Sequence, residues 1–178
     1  MWKNISLALG VGVAVLIAVI AVQPSSFSVE RSATIQAPAG VVYEHIHSLR
    51  AMDRWSPYAQ MDPQMKIAYA GPDSGVGASS SWEGPQMGKG RLTITAVKPD
   101  QDVEMRLEML SPMQATNRIL FTLVPSGGAT QVTWRMQGSN NFVGKAIGLV
   151  MDMDRMVGGQ FEQGLASLKA LVEGSARS

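Results

Sequence analysis

The chain has no cysteine and only two histidines, His45 and His47. Without cysteine there are no disulfides, no thiolate nucleophile and no cysteine-based metal site. Two positions apart on a helix, the histidine side chains point about 200° apart and cannot share a metal. No Ser/His/Asp arrangement can be read either. Basic clusters are missing as well. Of fifteen basic residues, Lys3 precedes the first apolar run, leaving fourteen against the fourteen acidic ones. Nucleic acid and a polybasic headgroup patch therefore have no electrostatic footprint. Charge is absent altogether from residues 5–22, ISLALGVGVAVLIAVIAV.

That uncharged run covers about 27 Å at roughly 1.5 Å per residue, close to the hydrocarbon thickness of a bilayer. It is apolar on every side, unlike a helix packed on a globular core. It is also longer than a signal-peptide core, and Gln23-Pro24 ends it. The expectation is a retained anchor over residues 1–23 and a linker over 24–26. With Lys3 ahead of the span, the remainder should lie outside the cytoplasm, periplasmic on an inner membrane.

What is abundant is methionine: eleven of the twelve lie beyond residue 50, and thioethers fill adaptable apolar space. Residues 27–36 alternate, with Phe27, Val29, Ala33 and Ile35 on one face and Arg31 interrupting it. A short helix follows from Pro38 to about residue 50, then a bent connector or second short helix over 52–63. Strands are expected over 65–70, 78–82, 91–98, 102–110, 115–124 and 130–137, the last two joined across Pro125-Ser126-Gly127-Gly128. Asn140 or Asn141 can cap one helix running to about residue 173, with apolar positions in steps of three and four. Its Gly158-Gly159 pair should bend it or admit a close neighbour, since each glycine costs about 1 kcal/mol relative to alanine. Residues 27–173 form one domain and 174–178 a tail. An antiparallel sheet of about seven strands must cover its apolar face, and a helix of that length can do so: an α+β architecture.

The stretches VERSATIQAPAGVVYEHI, WSPY, MKIAYAGPDSGVGASSSW, GRLTITAVKP, VTWRMQGSNNFVGKA and MDMDRMVGGQFEQGLASLK resemble the polyketide cyclase/dehydrase-like proteins of the START-like, birch-pollen-allergen-like (SRPBCC) superfamily. The resemblance covers nearly all of residues 27–172. It implies a helix-grip fold, a curved sheet wrapped around the C-terminal helix and a hydrophobic cavity. It also implies apolar ligands such as lipids, sterols or polyketides, often without catalysis, and it carries over no catalytic residues.

Several local patterns are set aside. Gly84–Gly90 has three residues between its first glycine and Gly88 and no Ser/Thr after Lys89, so it is a turn and not a phosphate loop. Asp152 and Asp154 read as a solvated helix face beside Arg155, not a metal site. The candidate ligand-binding residues are Trp55, Tyr58, Tyr69, Trp82, Phe121, Trp134, Phe142 and Phe161, with Met105, Met109, Met153, Met156 and Val157. Asn117 joins them as a polar residue on an apolar inward face, bonded to backbone or orienting a ligand. Arg31 on the first strand would reach water from a sheet edge.

The expected function is a membrane-anchored, single-pass binding module for a hydrophobic or amphipathic small molecule, lipids among the candidates, with no cofactor and no metal. Two alternatives stand beside it. One is a cyclase/dehydrase-type enzyme in which Glu83, His45, Tyr43 or Asn117 supplies acid/base or oxyanion contacts. The other is a tethered protein-interaction domain.

Overall fold

The computed structural model describes residues 2–175, with side chains from residue 10 onward. Helix α1 spans Trp2–Ala21. The membrane-span expectation for residues 5–22 thus falls partly outside the described side chains. Among the described residues no helix is long and apolar enough to cross a membrane. Of the part that is described, Val11, Val13, Val15, Leu16, Ile17 and Val19 are exposed and Ile20 is buried.

Seven strands follow in one antiparallel, curved sheet: β1 (Ser26–Ile35), β2 (Lys66–Ala70), β3 (Ser79–Gly84), β4 (Gly88–Lys98), β5 (Asp102–Ser111), β6 (Ala115–Ser126) and β7 (Ala129–Ser139). Their order is β1-β7-β6-β5-β4-β3-β2, which makes β1 and β2 the edges. The two-residue periods set the faces as the alternation requires. Val29 and Ile35 on β1, Val103 and Met105 on β5, and Ile119, Phe121 and Leu123 on β6 are all buried. Between β6 and β7 the turn is only Gly127-Gly128, both at positive φ (57° and 88°), so the strands run through the expected Pro125-Ser126. Strand β3 likewise runs on to Gly84, because the buried Asp62 carboxylate accepts the backbone N–H groups of Gln86 and Met87 at 2.9 and 3.0 Å and ties the turn down.

Two expected helices are broken. The one placed over residues 38–50 is α2 (Ala39–Glu44) and α3 (Leu49–Met52), with α4 (Pro57–Met61) in the connector. At the break, the His47 carbonyl accepts the Gly75 N–H at 2.9 Å, and Ser48 is extended at φ −120° and ψ 123°. A contact with the β2–β3 loop has won over helix continuity.

The long C-terminal helix is α5 (Phe142–Gly148) and α6 (Met153–Ser175), separated by residues 149–152. Asn141 caps the first, its side-chain oxygen accepting the Gly144 N–H at 2.9 Å. Asp152 restarts the second by accepting the Arg155 N–H at 2.9 Å. Aspartate favours a cap over a helix interior, and Gly148 weakens the turn before it, so the chain breaks here and not at Gly158-Gly159. The expectation of Asp152 on a continuous helix face is corrected accordingly.

Helix α6 crosses β1 and β7. Gly158 is where it meets β1: a Cβ there would stand 2.1 Å from an Arg31 guanidinium nitrogen. The close approach expected of the glycine pair is therefore to Arg31. Gly164 plays the same part for Trp134, whose ring lies 2.8 Å from where a Cβ would be.

Candidate functional site: a methionine-lined cleft

Between sheet and α6 the interior is filled by aromatic rings. Trp134 stacks on Phe161 with centroids 4.1 Å apart and planes 9° apart. Trp55 meets Trp134 edge-on at 5.6 Å, and Phe121 lies 4.9 Å from it. With Met105, these are core residues, essentially without exposed surface. Tyr58 edges onto Trp134 at 6.4 Å, and burial pushes its hydroxyl up to about 12. Val157 packs against the same core. At the centre of the grip these rings pack directly on one another.

Space opens at one end instead. A cleft of about 800 Å³ lies between the β5–β6 turn, the end of β7, α5 and the first turn of α6. Five methionines line it: Met109 and Met113 from one side, Met151, Met153 and Met156 from the other. Phe27 and Ile147 add apolar surface, and Asn117, Asn140, Asn141 and Glu108 add polar atoms. Asn117 is buried beside Gly138, whose missing side chain makes room for it: a Cβ there would stand 2.1 Å from Asn117 Oδ1 and 2.6 Å from the Phe27 ring. Among the described residues no side-chain hydrogen bond satisfies this amide, leaving it as a polar handle at the cleft. A second opening of about 490 Å³ flanks α5 on its other side, next to the end of α1, and shares Phe27, Met151 and Met153.

Of the residues singled out from the sequence, Met109, Asn117, Met153 and Met156 meet at this cleft. Tyr69 stands on the edge strand β2 and Trp82 on its neighbour β3. The Tyr69 hydroxyl donates to the Asp53 carboxylate, with Arg50 4.0 Å over its ring, while Trp82 covers Gly90 and donates to the Met87 carbonyl. Burial, then the Asp53 bond, push Tyr69 up to about 12, and burial raises Asp53. Phe142 is half exposed on α5. Met113, Met151, Phe27 and Ile147 escaped the sequence reading, although the clustering in MLSPM and MDMDRM was visible there.

The acid/base candidates lie elsewhere. Glu83 is exposed and pairs with Lys89 at 2.9 Å, which lowers its pKa. His45 is lowered by burial, and its carbonyl receives the Trp55 indole N–H at 2.9 Å. Tyr43 is raised by burial and stacks on His47 at 4.5 Å. None of the three lines the cleft.

An electrostatic clasp fastens α6 to β1. Arg31 reaches under α6 and binds Asp154 at 2.9 Å and Glu162 at 2.7 Å. Its hydrogen bond holds Asp154 below the ordinary carboxylate range, and Asp154 in turn raises Arg31. A carboxyl whose folded pKa is depressed adds stability above its unfolded pKa and loses it as pH falls through the folded one. The first turn of α6 should therefore loosen only below about pH 4. Amide hydrogen exchange of residues 154–158 should accelerate in acid before the β-strands do, and Arg31→Met should abolish that acid step.

The profile of the family described as "Polyketide cyclase / dehydrase and lipid transport" matches residues 26–173, nearly the whole of the chain beyond α1. The chain belongs to this family. Solved structures share its fold at low identity. A Chromobacterium violaceum protein is 16% identical, with a TM-score of 0.60 over 82% of this chain and 96% of its own. Ara h 8.0201 is 11% identical, at 0.57 over 84% and 99%. DynU16, from the dynemicin biosynthetic locus, is 14% identical, at 0.57 over 82% of this chain and 47% of its own. No curated protein matches the chain. Within this cyclase/dehydrase and lipid transport family the ligand site is expected between sheet and helix. In this chain stacked rings occupy the middle of that interface, and the methionine-lined cleft lies at its α5 end.

Proposed function

We infer that this chain is a membrane-anchored binding module for an apolar or amphipathic small molecule, held in the methionine-lined cleft. The observation that carries the reading is the cleft itself: about 800 Å³, five thioethers and the Asn117 amide, which has no side-chain hydrogen bond among the described residues. That size falls within the range of small-molecule sites, and a mostly apolar lining with a few polar groups is how such sites recognise ligands. Methionine adapts to varied apolar shapes, which suits a lipid chain. The uncharged residues 5–22 support attachment to a membrane, and Lys3 supports a domain facing the periplasm. Binding is favoured over catalysis because Glu83, His45 and Tyr43 stand away from the cleft, which leaves it one carboxylate, Glu108, beside the non-titrating Asn117 amide.

The test is native mass spectrometry of the domain expressed without residues 1–23 and kept from detergent. A discrete added mass that extracts into organic solvent is the expected result. A bare mass that also takes up no fatty acid or phospholipid would sink the binding reading.

A further inference from the structure

The elements that wall the cleft also carry exposed apolar side chains. Segment 140–151 carries no acidic residue and a single base, Lys145. Phe142, Leu149 and Met151 are exposed along it, and Val150 is 84% exposed. Across the cleft mouth, Leu110 and Met113 are about half exposed, so both lips are apolar. Water-facing domains seldom leave so much contiguous apolar surface uncovered.

The geometry also says what lies beside this surface. Lys145 Nζ donates to the Ala21 carbonyl at 3.0 Å, neutralising the C-terminal end of α1, and Asn140 N donates to the Ser25 carbonyl at 2.9 Å. These bonds hold α5 against the C-terminal end of α1, where the uncharged run of residues 5–22 finishes. Whatever surrounds α1 begins there. The lone lysine is turned toward the helix end, leaving the outward face of α5 and its following loop without charge.

We propose that α5 and residues 149–151 lie in the bilayer interface, so that the cleft opens directly onto lipid and takes its ligand from the membrane without crossing water. The proposal rests on the anchored binding-module reading and adds the ligand's source to it. A short apolar segment beside an anchor needs no membrane affinity of its own, because the anchor already supplies the local concentration.

The absence of cysteine provides a clean test. Val150→Cys and Phe142→Cys in the full chain are each labelled with an environment-sensitive nitrobenzoxadiazole dye and reconstituted into vesicles of phosphatidylcholine with a minor fraction of phosphatidylglycerol. Val124→Cys is the control. It is exposed near the opposite end of β6, about 30 Å from the cleft end at roughly 3.3 Å per residue. The expected result is co-flotation of all three, with a blue shift and a severalfold rise in emission at 150 and 142 and none at 124. Co-flotation with water-like emission at 150 and 142 would overturn the lipid contact and leave the anchor standing. Equal shifts at all three sites would overturn the directed orientation. Failure to float would overturn the anchor and the interface together.

Discussion

Replacing Trp134 with alanine is expected to cost about 3–5 kcal/mol of folding stability, the range for a large aromatic removed from a packed core. Trp134 is 2% exposed and stands at the meeting point of Phe161, Trp55, Phe121 and Tyr58. No other ring touches so many of its neighbours among the described residues. Because total stability is about 5–15 kcal/mol, the loss would bring the domain near its threshold. Trp134→Phe should cost far less. It keeps the stack on Phe161 and removes a buried indole N–H that has no hydrogen-bond partner. Guanidinium unfolding followed by circular dichroism compares the two. Equal losses would mean that the stack is not what holds the sheet to α6.

The second large effect concerns ligand binding and spares the fold. Met113 and Met156 face the cleft from opposite sides, and each is about half exposed. Changing both to glutamate should leave the unfolding midpoint nearly unchanged, since little packing is lost at such positions. Affinity for a fluorescent fatty acid should fall by at least about tenfold, equivalent to about 1.4 kcal/mol, because two carboxylates must be desolvated against an apolar chain. Met105→Leu serves as the contrast. It alters a methionine sealed in the core, conserves volume, and should leave affinity untouched. A double variant that binds like the parent would move the ligand site away from this cleft.

These two expectations separate residues that the sequence pattern treated alike. Trp134, Phe121, Phe161 and Met105 occupy inward positions, as do Met109 and Met153, and strand or helix periodicity cannot tell a filler from a lining residue. The difference comes from volumes contributed by distant segments. Gly164 lets Trp134 close onto α6, where its ring stacks on Phe161. At the other end Gly138 admits Asn117 and Phe27, while nothing of comparable bulk arrives to fill the space beyond them. The Met109/Met113 pair and the Met151–Met156 group lie about forty residues apart in sequence. They meet only because β6 pairs with both β5 and β7.

The sequence by itself determined the strands and their buried faces, the family, a cap at Asn140 or Asn141 and the uncharged run over residues 5–22. Each rests on local periodicity, local capping or a recognisable word, and local patterns survive being read without partners. Tertiary structure decided the rest. It broke the last helix at Asp152, brought Arg31 against Gly158, packed the expected cavity with rings and opened the cleft beside α1. Those outcomes depend on how much volume remains when non-adjacent elements close on one another, a quantity that no single segment contains.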